Sequence, residues 1–261
     1  MKKRIFILLV VFGVAFNALG INAEDKMPDG IGWYVPRSGN KMPTPSREQV
    51  KIEEYNGYYI DKKLTDTSDK KIIYLTFDAG YENGNVEKIM NTLKEKEVPA
   101  AFFLLDNIVL KNTDLVIRME NEGHLVCNHT KNHKNICKLT ESEIKKNLSD
   151  LEKIYEQKTG KSMAKYFRFP EGKYNEETLS LINDMGYKTI FWSFAYADWD
   201  NNRQPQKDKA IDKILSNTHN GMVILLHPTS SVNAEILPIL IDKWRDMGYS
   251  FGTLDELVSE G

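Results

Sequence analysis

Ile72-Ile73-Tyr74-Leu75-Thr76-Phe77, followed at once by Asp78-Ala79-Gly80, is the stretch on which the fold turns. Six mostly apolar, β-favouring residues run into a carboxylate and a glycine, as a buried parallel strand does when it ends in a tight turn. The layout recurs. Ala101–Leu104, Leu125–Asn128, Tyr166–Phe169, Thr189–Ser193, Val223–His227 and Ser250–Thr253 read as further strands. Helical patterns fall between them, with legible ends. Thr140 with Glu143 and Thr253 with Glu256 make capping boxes, and Gly186 and Gly248 stand where a helix should stop. Repeated alternation of this kind predicts an α/β fold with parallel strands inside and helices outside. Seven strands suit a distorted, incomplete (β/α) barrel better than a sandwich. Chemistry in such a barrel sits at the carboxyl ends of the strands.

The 261 residues suffice for one sizeable domain. With 35 basic against 37 acidic residues the net charge is −2, so bulk electrostatics give no pointer to nucleic acid. Residues 1–23 stand apart. Lys2, Lys3 and Arg4 precede an apolar run from Ile5 to Phe16, then small residues up to Ala23. That is the order of a secretory signal; an uncleaved amino-terminal anchor with membrane attachment also fits, since Ile21 is a poor residue three before the cut. Either way the folded part is expected outside the cytoplasm. Residues 24–69 carry aromatics and prolines (Trp33, Tyr34, Tyr58, Pro36, Pro43) and read as an arm packed on a main domain of 70–261. Cys127 and Cys137 are too few for a disulfide framework; one bridge or two buried thiols fit equally.

The residues at the strand ends carry the chemistry. Asp78 is an exposed acid on a turn, although Asp-x-Gly is common there for backbone reasons alone. His129 and His133, four apart, share one face if the segment is helical and then suit one metal ion. Arg168-Phe169-Pro170-Glu171-Gly172 puts a guanidinium on a rigid turn, where it orients a carboxylate or simply makes a surface ion pair. Asp198 and Trp199 follow the fifth strand. His227 closes the sixth, where a half-buried structural histidine and a general acid or base are equally at home.

As an ordered set these motifs resemble the polysaccharide deacetylase family, also called the NodB-homology domain or carbohydrate esterase family four. Gly32-Trp33-Tyr34, Asn56-Gly57-Tyr58-Tyr59 and Thr76-Phe77-Asp78-Ala79-Gly80-Tyr81-Glu82-Asn83-Gly84 are further similar to the muramic acid de-N-acetylases that lead to δ-lactam in spore cortex. The resemblance implies a hydrolase with His129 and His133 on a divalent metal, zinc above all, Asp78 as general base and His227 as general acid. It also implies that Arg168 positions Asp78, that Asp198 orients His227, and that a backbone N–H near Glu171 serves the oxyanion. The expected substrate is a peptidoglycan glycan strand whose stem peptides an amidase has already removed. Tyr81, Glu171 and Trp199 are the expected substrate contacts, with Trp192 and Tyr174 as further aromatics near the mouth.

One position departs from the family. Ala79 stands where most members carry a third, carboxylate ligand. Water, Asn128, Asn132 or the substrate's own lactyl carboxylate are the candidates to fill that gap. Two other readings stand beside the main one: a deacetylase of N-acetylglucosamine in peptidoglycan or chitin-like oligomers, and a non-catalytic wall-binding protein that has lost its metal.

Overall fold

The computed structural model of the chain describes residues 30–45 and 51–259. The predicted signal or anchor therefore lies outside the described residues. The arm supplies two short strands, β1 (Ile31–Gly32) and β2 (Gly57–Tyr58). Strand and helix then alternate: β3 (Ile72–Ala79), α1 (Asn85–Glu95), β4 (Ala101–Leu104), α2 (Asp106–Lys111), α3 (Thr113–Asn121), β5 (Leu125–Asn128), α4 (Glu141–Thr159) and β6 (Ala164–Phe167). The second half runs β7 (Lys173–Tyr174), α5 (Glu176–Asp184), β8 (Lys188–Ile190), β9 (Phe194–Ala195) and α6 (Lys207–Leu215). It closes with β10 (Met222–Leu226), α7 (Ser231–Asp246), β11 (Ser250–Phe251) and α8 (Leu254–Val258). Among the described residues no helix is long and apolar enough to cross a membrane.

Eight strands form a curled sheet in the order β2-β8-β6-β5-β4-β3-β10-β9, and β11 pairs with the start of β3. Every ladder in it is parallel. The α/β, incomplete-barrel expectation holds. Along β3 the pleat separates two environments. Ile73, Leu75, Phe77 and Ala79 join the apolar cluster under α1 and α7, while Ile72 and Tyr74 belong to the cluster inside the curl. Thr76 and Asp78 continue the inner row towards the mouth.

The structure corrects the sequence reading at one strand, extends it for the arm and decides it for the cysteines. Thr189–Ser193 is not one strand: β8 ends at Ile190 and β9 begins only at Phe194, because the chain changes partners between them. The Phe191 N–H donates to the Tyr58 carbonyl in β2, whereas the Ser193 N–H donates to the Val223 carbonyl in β10. The arm is also more than a cover, since β2 is itself an edge strand of the sheet. Cys127 and Cys137 are buried thiols with no disulfide between them. The helix ends hold as read. Thr140–Glu143 and Thr253–Glu256 form reciprocal capping boxes, and Gly186 and Gly248 take φ of 80° and 84°, which residues with a Cβ adopt only under strain.

Candidate active site

The carboxyl ends of β3, β5, β6, β9 and β10 converge on one mouth. Arg168, the residue after β6, is wholly buried. Its Nη1 donates to Asp78 Oδ1 at 2.9 Å, Nη2 to Thr76 Oγ1 at 2.9 Å and to the Phe191 carbonyl at 3.3 Å, and Nε to the Ile190 carbonyl at 2.9 Å. The guanidinium also lies 4.2 Å from the centre of the Phe103 ring. A buried charge is tolerated only when paired and hydrogen-bonded, and here it is both. Burial raises the Asp78 pKa, but neighbouring positive groups more than reverse this and hold it below the ordinary carboxylate value. His129 stands first among those groups and Arg168 next. Arg168 is the one charged at neutral pH, because burial pushes His129 down to about 4.

His129 is buried and His133 exposed, their ring centres 5.0 Å apart. The helix expected to carry them is absent. Thr130 and His133 have φ of 70° and 58°, and side chains stitch the loop in place of helical hydrogen bonds. Asn128 Oδ1 accepts the Thr130 N–H, Thr130 Oγ1 accepts the His133 N–H, and Asn147 Oδ1 accepts the Lys131 N–H. His129 Nδ1 donates to the Arg168 carbonyl at 2.8 Å, which leaves Nε2 with its lone pair, 3.4 Å from Asp78 Oδ2. A neutral imidazole with its far nitrogen tied to a carbonyl is the form that binds metal. Among the described residues no group of three or more His, Cys, Asp or Glu side chains is arranged to hold a metal ion. His129, with Nδ1 on the Arg168 carbonyl, and His133, its ring 5.0 Å away, are the two imidazoles that would suit a divalent ion. Asn128 does not fill the gap left by Ala79, since its amide donates to the Leu148 carbonyl and to Tyr187 Oη. Asn132 is likewise occupied, accepting from Asn147.

Across the mouth His227 Nδ1 donates to Asp198 Oδ1 at 2.7 Å, and the His227 N–H donates to Asp198 Oδ2 at 2.9 Å. Burial alone would lower the His227 pKa; the hydrogen bond and charge of Asp198 outweigh it, and the net shift is upward. With Nδ1 committed, Nε2 carries the mobile proton.

The substrate-contact candidates divide. Trp199 is 60% exposed, its ring 6.1 Å from that of His227, and Tyr81 is 43% exposed with its hydroxyl accepting from Asn201 at 2.5 Å. Glu171 sits at φ 57° and pairs with Lys173 at 2.5 Å. Tyr174 is wholly buried, which removes it from the sugar-stacking candidates. Trp192 packs on the Gly172 turn, and its carbonyl accepts the Trp33 indole N–H at 2.8 Å. Sequence reasoning missed Thr76, which accepts from Arg168, and Asn233, which donates to Asp198 and to the His227 carbonyl. Thr76 was findable, standing two residues before Asp78 on the same face of β3.

Residues 65–190 match the family model described as polysaccharide deacetylase. The chain is 35% identical over 240 residues to the peptidoglycan-N-acetylmuramic acid deacetylase PdaA of Bacillus subtilis, spanning 91% of this chain and 89% of that protein. The chain belongs to the polysaccharide deacetylase family. The solved structure of Bacillus subtilis PdaA, a family 4 carbohydrate esterase, superposes with a TM-score of 0.80 at 34% identity, covering 87% of this chain and 96% of the other. A peptidoglycan-N-acetylglucosamine deacetylase of Bacillus cereus is 32% identical over 195 residues, 72% of this chain and 69% of its own. The chain is thus a hydrolase of an amide C–N bond, and deacetylases of this family generally depend on a divalent metal.

Proposed function

We propose that this chain removes the acetyl group from N-acetylmuramic acid in peptidoglycan stripped of its stem peptides, a step leading to muramic δ-lactam in spore cortex. One observation carries the reading: two matched acid–base units, Asp78 with Arg168 and His227 with Asp198, stand at the same mouth as His129 and His133. His129 and His133 would hold the divalent ion, zinc by its preference for imidazole, which supplies Lewis-acid activation of water and of the acetamide carbonyl. Asp78, kept ionised by Arg168, takes a proton from the attacking water. His227, kept protonated by Asp198, delivers one from Nε2 to the departing amine. Positioned proton transfer of this kind contributes roughly 10²–10⁴-fold. In the turn after β6 the Gly172 N–H is taken by the Phe169 carbonyl and the Lys173 N–H by the Pro170 carbonyl. The Glu171 N–H is therefore the donor assigned to the oxyanion.

Trp199 offers an exposed ring for a sugar face beside His227, Tyr81 a second exposed ring, and Glu171 a polar contact. Loss of the acetyl group leaves the amine close to the lactyl carboxyl of the same sugar, so ring closure is favoured by proximity once an amidase has freed that carboxyl. Such a substrate places the protein outside the cytoplasm, secreted or held at the membrane by residues 1–23. The test is mass spectrometry of stem-free glycan incubated with protein and zinc. Loss of one acetyl group from muramic acid, with or without further loss of water, is expected. Loss from glucosamine instead would move the substrate to that of the Bacillus cereus relative. No loss with any divalent metal would leave the wall-binding reading.

A further inference from the structure

We propose that Asn233 is a positioning residue of this reaction, its side-chain amide clamping Asp198 so that the carboxylate sets the imidazole of His227 for proton transfer. The proposal rests on the reading of His227 as the general acid. Asn233 lies in the first turn of α7 and is 1% exposed. Ser230 caps that helix and accepts the Asn233 N–H at 3.1 Å, which fixes where the side chain begins. Its Nδ2 donates to Asp198 Oδ2 at 2.6 Å and to the His227 carbonyl at 3.1 Å, and its Oδ1 accepts the Tyr196 hydroxyl. A carboxylate and a carbonyl only accept, so the amide orientation follows from its partners. One amide therefore touches both members of the acid unit, and Tyr196 holds it from behind.

The choice of a neutral donor has a physical consequence. Asp198 is buried, and a buried carboxylate needs hydrogen bonds. A lysine or arginine here would supply them but would also cancel the charge that favours the imidazolium. An amide supplies them and leaves that charge directed at His227. The charged groups acting on His227 are Asp198, Asp78 and Arg168, and the first turn of α7 adds no acid. Gln204 reinforces the clamp from the loop after β9. Its Nε2 donates to the Asp198 and Asp200 carbonyls, and its Oε1 accepts from Ser230 Oγ at 2.6 Å, tying the Asp198 segment to the start of α7.

The experiment compares N233A, N233S and Y196F with the parent in the metal-loaded protein, by steady-state kinetics and by ¹⁵N NMR of the His227 ring. For N233A and N233S we expect kcat to fall about 10- to 100-fold, the loss of a hydrogen bond to a charged group, with KM unchanged. The His227 nitrogen shifts should move away from the pure Nδ1–H tautomer, and the alkaline limb of the kcat profile should move to lower pH. Y196F, which keeps the amide on Asp198, should show the same changes more weakly. Parent-like kcat and parent-like His227 spectra in a folded N233A or N233S would overturn the proposal and leave Asn233 a helix-end residue. Should both fail to fold, Y196F decides by the same readouts. The spectra need no substrate, so a parent inactive on muramic glycan would sink the proposed function while the clamp is still judged.

Discussion

Two strands carry a histidine beyond each end, and the two ends behave in opposite ways. β5 lies between His124 and His129, β10 between His219 and His227. At the amino ends His124 and His219 are buried and pushed down to about 4, burial being the main cause for both. His124 Nδ1 accepts the Ala100 N–H at 3.2 Å, and His219 bridges the Asn217 carbonyl and Ser193 Oγ, both at 2.8 Å. These are neutral rings used as polar packing. At the carboxyl ends His129 and His227 meet carboxylates, Asp78 and Asp198, which stand there because strands of a curled parallel sheet deliver their turns to one side. The residue type is the same; the end of the strand decides whether it is paired with neutral polar groups or with a carboxylate at the mouth.

The largest expected effect tests that division directly. H227A should lower kcat by roughly 10²–10⁴-fold, as loss of a positioned acid does, while H219N should keep kcat within a small factor. Steady-state kinetics on the two variants would break the comparison if H219N lost as much. Chelation of the divalent ion belongs beside it: turnover should vanish and return on adding zinc, and H129A should not be rescued at the same zinc concentration.

The next effect is on stability. His124 and His219 are neutral when folded down to about pH 4 but protonate near 6.5 when unfolded. The unfolded chain therefore binds more protons between those values. Their contribution is complete above about pH 6.5 and is lost as the pH falls through about 4, on the order of 3 kcal/mol for each ring. Melting curves from pH 7 to 4 should show this loss, and H219N should remove about half of it. A parent whose melting temperature is constant over that range would remove the contrast.

The smallest effect sharpens the other side. His227 is shifted upward by Asp198, so its acid form persists to higher pH than an ordinary histidine, and the rate falls as it deprotonates. D198N removes the charge, and the alkaline limb should move to lower pH. An unmoved limb would mean that another group sets it.

Much of this was legible in the sequence because β–α alternation assigns a direction to every strand. Once Asp78, His129, Arg168, Asp198 and His227 fall after strands, they fall at one end. Alternation cannot say how far a strand keeps one partner, so the change from β2 to β10 between Phe191 and Ser193 escaped it. Nor could the His129–His133 loop be read, since between the positive-φ residues Thr130 and His133 it is held at Lys131 and Asn132 by Asn147 from α4. The sequence by itself determined the strands, their direction and the residue types at the mouth. These are local properties of pattern and spacing. Only the tertiary structure decided which carboxylate pairs with which cation, that Tyr174 is buried while Trp199 is exposed, and that Asn233 closes on Asp198. Those pairings join residues from 29 to 90 positions apart, and only the packed sheet brings them within hydrogen-bonding distance.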